Sequence, residues 1–376
     1  RNQAPQGLRI HNGHLCHLKE IPQYWHIVQR PTWGSVTTNF WKIIMSNPQS
    51  LSRRSLLSAL AIAPAALATP ALLTRAALAQ PAPADSVAPK GAIQRRRVGD
   101  IDVIALSDGF SPLPTQIMVG FEDRAARDAA AATYAPYDPQ SFTISINGYL
   151  IRTADQLIAV DSGASSALAP TLGAWAASLA LAGIDPADID TVFLTHMHAD
   201  HVGGMTADGR RLLPNAGLVA AEAEWFFTHD DAVLAAIPEQ FKGNFLLSRA
   251  QLAPYAEGRQ MLAMAETEIA PGVTAIPLPG HTPGHMGLRI ASGGESLLIW
   301  GDVIHAPAYQ FSRPDWSVAF DADVDGARAS RHRMLDMAAT DRLAVAGMHL
   351  DFPAMGYVER QGDAYRYVAA PPDYRA

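Results

Sequence analysis

The segment Thr195-His196-Met197-His198-Ala199-Asp200-His201-Val202-Gly203-Gly204 sets three imidazoles and a carboxylate within six positions. The short apolar run 191–194 before it reads as a strand that delivers the cluster onto a loop. Alternate residues of an extended segment share a face, so His196 and His198 can grip one metal ion together. Asp200 and His201 follow where Gly203 and Gly204 give the backbone freedom to turn, and they can face a second ion. Packing alone explains such a group poorly, because burying four unpaired polar side chains would cost several kcal/mol in total.

Further ligands are expected at other strand ends. Pro279-Gly280-His281-Thr282-Pro283-Gly284-His285 is a turn-rich loop presenting two histidines. Leu297-Leu298-Ile299-Trp300-Gly301-Asp302 is an apolar strand emptying into a carboxylate, and Ala344-Val345-Ala346-Gly347-Met348-His349 repeats that form with an imidazole. Strands are also predicted at 101–106, 142–151, 157–160, 273–277 and 286–290, and helices at 169–182 and 326–338. Strands and helices alternate and no repeat of 20 to 50 residues is visible, which predicts one α/β domain over 95–376.

The ordered set resembles the metallo-β-lactamase superfamily, from about Ile101 onward. The resemblance implies an αββα sandwich with metals at one edge. It implies His196, His198 and His281 on a first zinc ion, Asp200, His201 and His349 on a second, and Asp302 between them. Asp200 and Asp302 are then the candidate catalytic carboxylates, and Asp161, in Val160-Asp161-Ser162-Gly163, supports the metal-bearing loop without binding metal. His285 matches no ligand position and is expected to play a supporting role. The chemistry implied is hydrolysis by a hydroxide held between two metal ions. Zinc suits imidazole-rich sites, although other divalent metals fit the same donors.

Within the superfamily, His281-Thr282-Pro283-Gly284-His285, Gly301-Asp302-Val303-Ile304-His305, Tyr309-Gln310-Phe311 and Gly347-Met348-His349-Leu350-Asp351-Phe352-Pro353 resemble the methyl parathion hydrolase group. That group includes organophosphate hydrolases, lactonases and arylesterases, so a small-molecule ester, lactone or phosphotriester is the expected substrate. His305 departs from the aliphatic residue of the parathion hydrolases and agrees with lactonase-leaning members. Trp225, Phe226, Phe227, Phe241 and Phe245 are candidates for an aromatic pocket, with Phe226, Phe241 and His305 singled out as lining it. The rival readings are a β-lactamase, a hydrolytic dehalogenase, a glyoxalase II and a non-catalytic metal-binding protein. A flavodiiron oxidoreductase would carry a carboxylate at position 198 and a flavin domain.

Composition narrows the classes. The chain has 376 residues, 48% hydrophobic and 17% charged, which suits a protein with a substantial core. A net charge of -7 disfavours nucleic acid as a partner. The single cysteine, Cys16, allows no internal disulfide and no thiolate cluster, so metal ligands must be His, Asp or Glu. Residues 1–44 show no periodicity and read as upstream sequence outside the working protein, rather than as a metal-binding tract built on His11, His14, Cys16 and His17. Residues 45–79 carry Arg53-Arg54, an apolar alanine-rich stretch and Ala77-Leu78-Ala79, which read as a twin-arginine signal peptide. Pro64 and Pro70 argue against a membrane anchor. The stretch 80–94 reads as a linker. A periplasmic or secreted enzyme is therefore expected, with no stable membrane anchor and with a homodimer allowed.

Overall fold

The computed structural model describes residues 90–376. The upstream sequence, the leader and residues 80–89 of the linker lie outside the described residues. The first strand, Ala92–Val98, begins three residues inside the stretch read as linker.

Two seven-stranded sheets make up the fold. The first runs, in spatial order, Ala92–Val98, Ile101–Pro114, Ser141–Arg152, Leu157–Val160, Thr191–Phe193, Gly217–Ala221 and Gln260–Leu262. Its first four strands pair antiparallel and the rest parallel. The second runs Thr267–Ala270, Val273–Pro277, Met286–Ser292, Glu295–Ile299, Ala344–Ala346, Met355–Gln361 and Ala364–Ala369. In it only Glu295–Ile299 and Ala344–Ala346 are parallel.

The strand period of two explains the layers. Val103, Ala105, Tyr149, Ile151, Ile158 and Val160 join the second sheet in one buried cluster. Their neighbours Ile104, Leu106, Leu150, Leu157 and Ala159 point the other way and pack on Trp175 and Leu179 of the helix Trp175–Ala182. Met334, Leu335 and Ala338 of the helix Val324–Asp341 pack against the second sheet. The result is the αββα sandwich that the resemblance implied. Among the described residues, no helix is long and apolar enough to cross a membrane.

Two predicted elements differ from those observed. The helix predicted at 169–182 starts only at Trp175, because Gly173 takes a left-handed φ of +98°. The strand predicted at 101–106 continues to Pro114 through a bulge near Gly109. A side chain at Gly109 would meet the carbonyl of Thr171, so the bulge requires glycine there.

Candidate metal centre

Parallel strands bring the ligand candidates together. Val160 pairs with Phe193, so Asp161 and the Thr195-His196 loop leave the first sheet side by side. Ile299 pairs with Ala346, so Asp302 and His349, each three residues further on, leave the second sheet side by side. Both pairs lie beyond the carboxyl ends of parallel strands, where α/β folds place their sites. Asp200 and His201 sit in the short helix Ala199–Val202 that caps the first loop.

Gly203 and Gly204 serve a purpose other than the flexible turn expected of them. Gly203 has an ordinary helical φ of -62°. A side chain there would come within 2.3 Å of the Ser165 backbone nitrogen, and one on Gly204 within 2.2 Å of the Ser162 carbonyl. Close backbone approach to the Asp161 loop is the requirement.

His196 Nε2, His198 Nδ1 and His281 Nε2 converge, at 3.0 to 3.1 Å from one another. Two of the opposite ring nitrogens are engaged. His281 Nδ1 donates to Asp321 at 2.8 Å, and His196 Nδ1 lies 3.2 Å from the Thr195 hydroxyl, which itself donates to Asp161. Each arrangement fixes the tautomer that leaves the converging nitrogen a lone pair. Three lone pairs aimed at one point repel unless a cation stands among them.

A second group lies alongside. Asp200 Oδ2 is 3.7 Å from His201 Nε2 and 3.6 Å from His349 Nε2. His201 Nδ1 donates to Asp161 at 2.7 Å, and His349 Nδ1 to the Ser145 carbonyl at 2.9 Å. Asp302 reaches both groups, its Oδ2 lying 3.3 Å from His281 Nε2 and 3.0 Å from His349 Nε2, and its Oδ1 3.3 Å from His201 Nε2. His201 Nε2 and Asp302 Oδ1 are buried with no hydrogen-bond partner among the described residues. Buried polar atoms left this way are costly unless a metal ion takes their lone pairs, so the donor set fits two divalent cations.

At the three converging imidazoles the electrostatics agree with ligation. Burial holds His196, His198 and His281 below the usual imidazole range, neighbouring imidazoles adding to the effect, and His198 is pushed down to about 3. They are neutral and free to donate. Burial also lowers His201 and His349, but the carboxylates of Asp302 and Asp200 outweigh it and raise both. Asp302 is held well below its ordinary value, burial being overcome by His201 and His349. His201, His349, Asp200 and Asp302 thus form one cluster of opposite charges.

The remaining predicted residues separate. Both ring nitrogens of His285 are used, Nδ1 donating to the Leu278 carbonyl at 2.9 Å and Nε2 accepting from the Asp302 N–H at 3.0 Å. The histidine thus holds the Asp302 backbone from behind. His305 is buried with Nε2 3.1 Å from Asp302 Oδ2. Phe226 is 64% exposed on the helix Glu222–His229, and Phe241 lies half-buried on the helix Glu239–Leu252. Trp225 is core, stacked on His229 with its rings 4.0 Å apart.

Two aromatic rings stand beside the site: Phe245, 6.4 Å from the His198 ring, and Phe320, 5.4 Å from that of His305 and 6.1 Å from that of His281. Phe227 stands behind Phe245 at 5.8 Å. Sequence reading missed Phe320 and the adjacent Asp321. Both sit in a loop with no periodicity, and the only signal was an acidic residue following an apolar run.

The family model of the metallo-beta-lactamase superfamily matches residues 143–349. The N-acyl homoserine lactonase AiiB of Agrobacterium fabrum (strain C58) is 28% identical over 167 residues, covering 39% of this chain and 58% of that protein. The chain spans about half the length of the curated relatives it matches. Among solved structures, the hydrolase AbOPH of the beta lactamase superfamily is 27% identical, with a TM-score of 0.70, covering 76% of this chain and 99% of that one. AidC, a dizinc quorum-quenching lactonase, superposes with a TM-score of 0.68 at 23% identity, over 75% of this chain and 98% of that one, which is a likeness of fold.

Proposed function

The chain belongs to the metallo-β-lactamase superfamily, and from that premise we propose that it is a two-zinc hydrolase of lactones and other carboxylic esters. The observation carrying this reading is the pair of donor groups joined by Asp302. His196, His198 and His281 would hold one ion, Asp200, His201 and His349 the other, with Asp302 shared. Bound there, the metals supply an activated water and electrophilic polarisation of a carbonyl or phosphoryl oxygen.

The protein's own side chains do the rest. Asp161, Asp321 and the Ser145 carbonyl hold the imidazoles in their ligating tautomers. Phe245 stands in T-shaped contact with His198, and Phe320 with His198 and His281, which favours a substrate with an apolar arm. The imidazole of His305, its Nε2 3.1 Å from Asp302 Oδ2, would offer a polar group to an ester oxygen held at the metals. The lactonase activity named for AiiB supports the choice of lactones, and phosphotriesters are the second class to be tried.

The test is turnover by purified protein of known metal content, using an N-acyl homoserine lactone, p-nitrophenyl acetate and paraoxon. Lactone and ester hydrolysis well above paraoxon hydrolysis is expected. Protein holding two metal ions that hydrolyses none of the three would overturn the proposal.

A further inference from the structure

Glu224 lies on the helix Glu222–His229, remote in sequence from every metal donor, yet its carboxylate is fully enclosed. Oε1 accepts the Met197 backbone N–H at 2.9 Å. Oε2 accepts the Thr282 hydroxyl at 2.5 Å and the Gly284 N–H at 3.2 Å. Met197 stands between His196 and His198, and Thr282 directly follows His281. One carboxylate therefore spans the two loops that carry the three converging imidazoles. The approach is close on the other side too, since a side chain on Gly284 would come within 2.2 Å of the Glu224 backbone nitrogen.

We infer that Glu224 is a positioning residue for the three-histidine metal site, fixing the His196–His198 loop against the His281 loop so that their nitrogens meet. A buried carboxylate with three donors is costly to assemble and rigid once assembled. Loops held from only one side would let the imidazoles drift apart by the few tenths of an ångström that matter to coordination. Glu224 contacts no donor nitrogen itself, so its effect should fall on metal affinity at this site and spare the Asp200, His201 and His349 group, which it does not touch.

The inference rests on the proposed metal centre. Its test uses the full chain and Co2+ or Zn2+ as the probe. In Glu224→Gln the side chain keeps its size, but an amide N–H2 replaces one acceptor and faces a donor. Thr282→Val removes one of the three bonds. Competition with a chelator should show an affinity loss of about tenfold or more for the ion at the three histidines in Glu224→Gln, a smaller loss in the same direction in Thr282→Val, and no change at the second site. The visible spectrum of the Co2+ form should change with the coordination geometry, while the metal-free variant still unfolds in one cooperative transition, somewhat below the metal-free parent. Unchanged affinity with an unchanged Co2+ spectrum would overturn the inference, as would equal weakening of both sites. A parent protein that binds one ion only, at the three histidines, would overturn the two-metal reading and leave this test intact, because the test reads that ion.

Discussion

The carboxylate of Asp161 lies 2.7 Å from Nδ1 of His201 while also accepting the backbone N–H and the hydroxyl of Thr195. Asp161 itself has a left-handed φ of +57°, a strained setting for a residue other than glycine. The backbone bends to bring the carboxylate behind the imidazole, and the bend is held by the Ser162 N–H donating to the His201 carbonyl at 2.8 Å.

Replacing Asp161 by Asn keeps the shape but turns one of its two accepting oxygens into an N–H2, which must face either the Thr195 N–H or the His201 and Thr195 side-chain donors. We expect metal affinity at the Asp200, His201 and His349 group to fall by about 10- to 100-fold, with the three-histidine site little affected. Metal analysis of dialysed protein against a buffered zinc series would show it. Full occupancy of both sites at parental zinc concentrations would contradict the role given to Asp161.

Asp302 and His285 should separate cleanly. Asp302→Ala removes the carboxylate shared by both groups and is expected to abolish most activity and lower metal content. His285→Ala leaves the Asp302 N–H without its acceptor, at a cost of about 1–3 kcal/mol in stability, and should retain most of its metal. Denaturant unfolding and metal analysis of the two variants make the comparison. Equal metal loss in both would reverse the assignment of His285 as a support.

Stripping the metals should destabilise the fold, because the converging lone pairs and the buried Asp302 carboxylate lose their counter-charge. Free zinc about 100-fold above its dissociation constant adds about 2.7 kcal/mol of stability per site. A chelator should therefore lower the melting temperature and added zinc should restore it. A melting temperature indifferent to both treatments would speak against resident metal.

The leader proposed for residues 45–79 makes a separate prediction about processing. Protein exported by a twin-arginine system should begin near Gln80, and replacing Arg53 and Arg54 by Lys should hold it in the cytoplasm. N-terminal sequencing of periplasmic material that retains residues 45–79 would refute this.

Much of the site was legible because it follows strand periodicity. Apolar runs such as Leu297–Ile299 and Ala344–Ala346 stop abruptly at Asp302 and His349, and a run that ends in a ligand is visible in one dimension. The layers were legible for the same reason. Supports such as Asp321 and Glu224 were not, since neither lies near its partner in the chain. Asp321 meets His281 across 40 positions and Glu224 meets Thr282 across 58. Which helix aromatics stand beside the metal donors was not legible, because helix spacing cannot say which face looks at them. Phe226 faces solvent, whereas Phe227, its neighbour, backs Phe245.

The rim and the supports share backbone. Phe320 is adjacent to Asp321, which orients His281, and Phe227 rides one turn from Glu224 on the same short helix. Shifting either segment to admit a bulkier substrate would drag a supporting carboxylate with it and disturb the metal donors. Exchanging a rim side chain in place would not. Divergence toward new substrates should therefore proceed by substitution at Phe227, Phe245 and Phe320 and avoid insertions beside them. That restricts the evolutionary routes open to this enzyme to those that leave the two segments where they stand.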